Sequence, residues 1–183
     1  MHEALCKATA HWLAYKKAAG FMLASEALLI IPLAECFVSK GYDLKTEADT
    51  TRYNVGAPGL FNYDAIAERK DGSTIFLETK YLKGKFDVNR CLIDVMKLAL
   101  PDAHVYQRLL LVAGEVTAID RLSLNTEYRL EDFRHLAKSK QDFGKFLEKY
   151  EAEKSRPGII SIEASATVVA DGAAAKVFSV SRK

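Results

Sequence analysis

Residues 61–82 have the sequence FNYDAIAERKDGSTIFLETKYL, and this stretch decides the fold. Two segments rich in apolar and aromatic residues, 61–69 and 74–82, flank the tripeptide KDG at 70–72. Segments of this kind, separated by a short loop that contains Asp-Gly, are typical of antiparallel strands joined by a tight turn. We therefore predict a β-hairpin here.

The loop of this hairpin determines which polar side chains meet. Glu78 and Lys80 are two positions apart on one strand, so they share a face of the sheet. A two-residue loop, Asp-Gly, would set Asp64 opposite Thr79, on the other face. A three-residue loop, with its glycine in the left-handed conformation, would set Asp64 opposite Glu78. Both loops are common, so the sequence leaves the register open.

In the second register, the carboxylates of Asp64 and Glu78 face each other. Opposed Cβ atoms are about 4.5–5.5 Å apart, which lets two carboxylates hold one hard cation. A bound Mg²⁺ or Mn²⁺ would lower the pKa of a bound water, with the Thr79 carbonyl as a further oxygen ligand and Lys80 as a group that orients the water or stabilises the transition state. The alternative is a surface hairpin whose charges face water. The cation site is favoured because the Glu-Thr-Lys triplet directly follows an apolar run, residues 75–77.

The rest of the chain alternates helical and strand patterns. A first helix is predicted at 3–19, and a second, with Glu26 in its first turn, is bent or delayed by Pro32 and ends before Gly41. The other predicted elements are a strand at 42–48, helices at 89–100 and 130–154, and strands at 108–114, 159–169 and 174–181. This order indicates an α/β fold, a central mixed β-sheet flanked by helices, with a C-terminal helix and β-hairpin appended.

Composition limits the class of protein. The chain has 183 residues, 26 basic and 24 acidic side chains and a formal charge of +2, which excludes a strongly basic tail that would bind nucleic acid anywhere. Its hydrophobic fraction of 49% is too high for a disordered chain. We predict a single domain over 1–183, with a core at about 25–114 and the appended elements at 130–183.

The cysteines and the start of the chain bear on the cellular compartment. The three cysteines form no Cys-x-x-Cys pair, so they support neither a zinc site nor a disulfide framework. The longest apolar stretch, 21–38, contains two glutamates and a proline, unlike a membrane span. The first residues lack the basic region of a secretory signal. We therefore expect a cytoplasmic protein with no membrane partner.

The hairpin and its setting resemble the PD-(D/E)XK nuclease superfamily, the restriction-endonuclease-like fold. The matching residues are Asp64 and the triplet Glu78-Thr79-Lys80, between a helix with an acidic residue and a helix that leads into an apolar strand. The resemblance covers about half the chain, residues 25–114. It departs from the family pattern at the doublet, which is Tyr-Asp instead of Pro-Asp, as in many members of the superfamily.

The resemblance implies a restriction-endonuclease-like core and a nuclease dependent on Mg²⁺ or Mn²⁺. By this resemblance, Asp64 and Glu78 would ligate the metal, Lys80 would be the catalytic lysine, and Glu26 would contact the metal shell directly or through water. DNA is the expected substrate, in restriction, defence or repair, with target choice from a homodimer or a partner subunit. The alternatives are a catalytically idle nuclease-fold module that binds nucleic acid or protein, and an unrelated α/β protein.

Basic residues near the hairpin are candidates for phosphate contacts. Arg90, Asp94 and Lys97 have the spacing i, i+4 and i+7, which places them on one stripe of a helix. The stripe faces either solvent or the active cleft, where its two cations would meet phosphates. Lys83 and Lys85 directly follow the catalytic strand and would bind the nucleic-acid backbone without reading sequence.

Overall fold

The computed structural model describes residues 1–21, 26–49, 62–84, 86, 88–99, 107–137 and 158–182. In this part of the chain, helices pack on both faces of a mixed eight-stranded sheet, which confirms the predicted α/β class. The helices are α1 (His2–Ala18), a 3₁₀ helix (Glu26–Leu29), α2 (Ile30–Val38), α3 (Val88–Ala99), α4 (Val116–Arg121) and α5 (Leu130–Ala137). The strands are β1 (Asp43–Asp49), β2 (Asn62–Glu68), β3 (Thr74–Leu82), β4 (Gln107–Glu115), β5 (Glu127–Tyr128), β6 (Ile160–Ala164), β7 (Val168–Ala170) and β8 (Ala173–Arg182).

The strands lie in the order β1-β2-β3-β4-β8-β6-β5, and β7 also pairs with β8. Only the β3–β4 pair among the described strands is parallel, and α3 makes the crossover that a parallel pair requires. One face of the sheet packs against α3, α4 and α5, and the other packs against α1 and α2. None of the helices in the described ranges has the length and apolar composition needed to cross a membrane.

The C-terminal strand β8 lies between β4 and β6, inside the sheet. Its side chains are apolar on both faces, with Phe178 in the cluster around α3 and Val177 in the cluster around α1. A strand that is covered on both faces belongs to the interior of a sheet. The predicted C-terminal hairpin is present, since β7 pairs antiparallel with β8. It is not appended to the core, however, because β8 lies between β4 and β6 inside the sheet.

Two other predicted elements differ from the structure. The strand predicted at 159–169 is divided into β6 and β7 at Ser165, whose N–H donates to the Val177 carbonyl and whose Oγ accepts from the Val177 N–H. This side chain satisfies a backbone group of β8 where the ladder would otherwise continue. Of the long helix predicted at 130–154, α5 covers the start, and 138–157 lie outside the described residues.

The hairpin of β2 and β3 has the three-residue loop, one of the two predicted alternatives. Gly72 has a φ of +86°, the left-handed conformation that this loop requires. The β2–β3 ladder ends with Ala65 opposite Leu77. Asp64 lies just beyond this last pair, and its carboxylate accepts hydrogen bonds from the backbone N–H and the hydroxyl of Thr79. The loop is therefore that of the second register, but Asp64 and Glu78 do not form a pair of the ladder.

Gly114 of β4 is required by the close approach of β3. Its φ is +153°, and a Cβ atom added there would lie 1.9 Å from the backbone oxygen of Leu82, the residue with which it pairs. We expect Gly114→Ala to lower the free energy of unfolding by about 3 kcal/mol, because the clash is with backbone that cannot move alone. The midpoint of urea unfolding measures this effect.

Gly41→Ala is the matched control for this variant. Gly41 also has a positive φ, +77°, but a Cβ atom there would have no neighbour within 4 Å. This variant carries only the conformational cost, about 1–2 kcal/mol. Equal losses of stability in the two variants would contradict the close approach at Gly114.

Candidate active site

The structure brings together side chains from four elements on the face of the sheet that packs against α3. Phe76 and Leu82 of β3 lie on this face. Glu78 and Lys80 are the alternate residues between them, so their side chains point to the same face. Charged residues of the 3₁₀ helix, β3 and α3 are joined there by ion pairs, and Asp64 contributes from β2. We call this set the charged cluster. Its members are Glu26, Asp64, Glu78, Lys80, Arg90, Asp94 and Lys97.

Glu78 is the most deeply buried carboxylate of the charged cluster, with 1% of its surface exposed. The Lys97 ammonium lies 2.5 Å from its Oε1 atom. Burial raises the pKa of Glu78 to about 8. The Lys97 ammonium acts to lower this pKa, but the nearby carboxylates of Asp94 and Asp64 act to raise it. The site therefore lacks the positive charge that would keep Glu78 ionised.

Lys80 lies between two acidic side chains. Its Nζ atom is 2.7 Å from Asp94 Oδ2 and 3.3 Å from Glu26 Oε2, and it also donates to the Thr79 carbonyl at 3.2 Å. Burial alone lowers the pKa of Lys80, but the charges of Asp94, Glu26 and Glu78 together raise it above its usual value. Lys80 is therefore a cation at neutral pH.

Asp94 is a carboxylate of the charged cluster that the sequence did not predict as a site carboxylate. It is 5% exposed and forms the closest ion pair of Lys80. Burial raises the pKa of Asp94, although Lys80 and Lys97 oppose this shift. The signal in the sequence is the helix stripe of Arg90, Asp94 and Lys97. All three contact the charged cluster, and Arg90 is the exposed member.

Asp64 contacts β3 through Thr79. The backbone N–H and the Oγ1 hydroxyl of Thr79 both donate to Asp64 Oδ2, each at 2.7 Å. These bonds hold the carboxylate at the edge of β3, where the β2–β3 ladder ends. The Thr79 carbonyl, predicted as a metal ligand, accepts a hydrogen bond from Lys80 in this arrangement.

Glu26 connects the charged cluster to the surface. Its Oε1 atom lies 2.7 Å from an Arg90 nitrogen, and its Oε2 atom faces Lys80. The Arg90 side chain is 54% exposed, so it can also meet a ligand from solution. The short 3₁₀ helix before α2 sets this position, since the α-helix begins at Ile30, two residues before Pro32. Of the two effects expected of Pro32, a bend or a delayed start, the structure shows the delayed start.

The predicted phosphate contacts are only partly brought together. Lys97 is 12% exposed and contacts Glu78, while it also donates to the Asn62 carbonyl at 3.0 Å. It therefore belongs to the cluster interior. Lys83 is exposed and lines a cavity with α1 residues, and Lys85 lies outside the described residues.

The carboxylates of the charged cluster are of the donor type that a hard divalent cation prefers. Among the described residues, no group of three or more His, Cys, Asp or Glu side chains is arranged to hold a metal ion. The deepest part nevertheless gathers three carboxylates, of Asp64, Glu78 and Asp94, against two ammonium groups. Carboxylate oxygens are the ligands that Mg²⁺ and Mn²⁺ prefer. A cation bound there would supply the charge that Glu78 lacks.

No protein-family model matches this chain, and neither the curated proteins nor the solved structures include a significant match to it. The charged cluster therefore has to be interpreted from its own geometry.

Proposed function

We propose that this protein is a metal-dependent nuclease that hydrolyses phosphodiester bonds, with DNA as its preferred substrate and a PD-(D/E)XK-like, restriction-endonuclease-like core. The observation that carries the proposal is the position of Lys80. A buried, protonated lysine lies beside the carboxylates of β3 and α3, with the Asp64 carboxylate at the next strand. A metal-bound water and a fixed positive charge are two ways to promote phosphodiester hydrolysis, and this set of residues could supply both.

Each residue of the charged cluster has a role in this proposal. The carboxylates of Asp64 and Glu78 and the carbonyl of Thr79 would hold Mg²⁺ or Mn²⁺. When bound, the metal polarises a phosphate oxygen and makes a bound water more acidic. The ammonium of Lys80 would place a positive charge beside the negative charge that develops on the phosphate, and Glu26 holds Lys80 from the other side.

Surface cations would bind the substrate backbone. Arg90 is exposed beside Glu26, and Lys83 is exposed after the end of β3. Contacts from such side chains give affinity for phosphates without base recognition. Sequence or structure preference would then come from a homodimer or a partner subunit, in restriction, defence or repair.

Cleavage assays with the purified full chain test the proposal. We expect plasmid DNA to be cut in the presence of Mg²⁺ or Mn²⁺, with single-stranded DNA and RNA as comparison substrates, and EDTA to stop the reaction. The Asp64→Asn variant, purified in parallel, is expected to lose cleavage because its amide is a poor metal ligand. No metal-dependent cleavage of any of the three substrates would reject the nuclease proposal, and equal cleavage by Asp64→Asn would assign the activity to a contaminant.

A second candidate function is a nuclease-fold module that binds nucleic acid or protein without catalysis. The observation that favours it is that Glu78, Asp94 and Asp64 already contact Lys97, Lys80 and Thr79. In an idle module these contacts would be permanent. Calorimetric titration distinguishes the two functions, because an idle module would bind DNA but would take up neither Mg²⁺ nor Mn²⁺.

A further inference from the structure

A second concave site lies on the opposite face of the sheet from the charged cluster. It is a cavity of about 300 Å³ between the end of α1, the 3₁₀ helix and α2, and the ends of β3 and β4. Three aromatic side chains line it, those of Trp12, Phe21 and Tyr81. The Phe21 side chain is 66% exposed, so its ring lies largely in solvent. We call this site the aromatic cavity.

Positive charge surrounds the aromatic cavity. Three lysines, Lys16, Lys17 and Lys83, line it together with one acidic residue, Glu115. The ammonium of Lys16 lies 5.5 Å from the centre of the Trp12 ring and 5.2 Å from that of Phe21. The excess of lysines is complementary to a ligand that carries both a flat ring and negative charge.

The aromatic cavity and the charged cluster share two elements. Tyr81 follows Lys80 on β3, so the two side chains point to opposite faces of the same strand end. In the 3₁₀ helix, Leu28 lines the aromatic cavity while Glu26 pairs with Lys80. A chain molecule that passes around the end of β3 can therefore contact both sites.

We propose that the aromatic cavity binds one unpaired nucleobase of a single-stranded nucleic acid, with the neighbouring phosphates on its lysines. Aromatic side chains stack on any base, and a lysine-lined groove follows the backbone. A volume of about 300 Å³ is at the small end for ligand sites, which suits one ring system. A duplex keeps its bases stacked and paired, so it cannot fill the aromatic cavity. Base binding in the aromatic cavity does not depend on the proposed nuclease function. Only the continuation of the bound strand to Lys80 rests on that function.

The single tryptophan of the chain gives a direct measurement, because Trp12 lines the aromatic cavity. In EDTA, so that no cleavage occurs, we expect a short oligothymidine to quench the Trp12 fluorescence in a saturable titration. An abasic oligonucleotide of the same length has the phosphates without the bases and is expected to quench little. A fully paired hairpin is expected to behave like the abasic strand.

Variants of the cavity wall locate the bound base. Phe21→Ala and Tyr81→Ala are each expected to weaken oligothymidine binding about tenfold, in line with the contribution of base stacking. Tyr15→Ala is the matched control, since Tyr15 is an exposed aromatic residue of α1 that, like Phe21, lies near the Lys16 ammonium but does not line the aromatic cavity. It should bind like the wild-type protein. Lys83→Ala should reduce the slope of log K against log salt by about 1.

Three outcomes would overturn the inference. Equal quenching by the abasic strand would mean that only phosphates bind, and equal quenching by the hairpin would mean that no unpaired base is needed. Loss of binding in Tyr15→Ala as large as in Phe21→Ala would place the strand outside the aromatic cavity. The Asp64→Asn variant separates this inference from the nuclease proposal, because it should lose cleavage and retain base-dependent quenching.

Discussion

Cleavage by the Lys80→Ala variant is expected to be about 10²–10³ times slower than cleavage by the wild-type protein. Lys80 is the buried cation of the charged cluster, and its acidic neighbours hold it in the protonated form. Its ammonium can therefore stabilise the negative charge that develops on the phosphate without first taking a proton from solution. Single-turnover rates at saturating Mg²⁺ measure the effect on the chemical step.

A loss of activity in Lys80→Ala must be separated from a loss of folding. The variant leaves Asp94 buried without its ion pair, which costs about 3–5 kcal/mol when one partner of a buried pair is removed. The double variant Lys80→Met and Asp94→Asn removes both charges and keeps the volume, so we expect it to recover the urea midpoint but not cleavage. Recovery of cleavage would show that Lys80 serves only the fold.

Lys45→Ala is the matched control for the lysine substitution. Lys45 of β1 also pairs with a carboxylate, that of Glu68 at 2.7 Å, but its side chain is 43% exposed and lies outside the charged cluster. An exposed pair contributes little to stability. This variant is expected to cleave at the wild-type rate, and a comparable loss would mean that the assay responds to any change of surface charge.

Local patterns were sufficient to predict the hairpin and its acidic positions. The alternation of β3 predicts that Glu78 and Lys80 share a face, and the structure places both on the α3 side. The turn left two registers open because Asp-Gly suits loops of either length. The structure adopts the three-residue loop, but the β2–β3 ladder ends at Ala65 and Leu77, and Asp64 accepts its hydrogen bonds from Thr79.

Features that depend on distant packing could not be predicted. The spacing of the α3 stripe fixes which residues share a side of the helix but not what that side contacts, so Asp94 was indistinguishable from a solvated residue. The crossover of α3 onto β3 turns it inward. The position of β8 could not be predicted for a related reason. An apolar pattern indicates a buried strand but not the strand with which it pairs, which for β8 includes β4.

The pH dependence of stability is the second large effect, and it follows from Glu78. Its pKa rises from 4.5 to about 8 on folding, so the folded protein binds this proton more tightly than the unfolded chain. The stabilisation that the Glu78 proton contributes to folding is therefore fully present below pH 4.5 and is lost as the pH rises to about 8. The loss amounts to up to about 5 kcal/mol, at 1.36 kcal/mol for each pKa unit.

Glu78→Gln is expected to remove this loss, because its side chain has the same shape and no charge to bury. We expect the variant to match the wild-type protein in acid and to exceed its unfolding free energy by several kcal/mol above pH 8. Urea unfolding at a series of pH values measures both curves. Their difference isolates Glu78 from His2, whose pKa is lowered by burial and whose contribution to the slope has the opposite sign.

The same carboxylate connects stability to the proposed function. If Glu78 holds a divalent cation, Mg²⁺ should stabilise the wild-type protein above pH 8, by about 2.7 kcal/mol at one hundred times the dissociation constant, and should leave Glu78→Gln unchanged. The Glu78→Gln variant would then be more stable than the wild-type protein without metal and inactive with metal.

Asp94→Asn is the control for the pH dependence, because burial also raises the pKa of Asp94. Removal of this carboxylate should reduce the dependence of the unfolding free energy on pH without abolishing it. A wild-type curve that is flat from pH 4.5 to about 8 would contradict a buried, charge-deficient Glu78, and equal stabilisation of Glu78→Gln by Mg²⁺ would place the cation elsewhere.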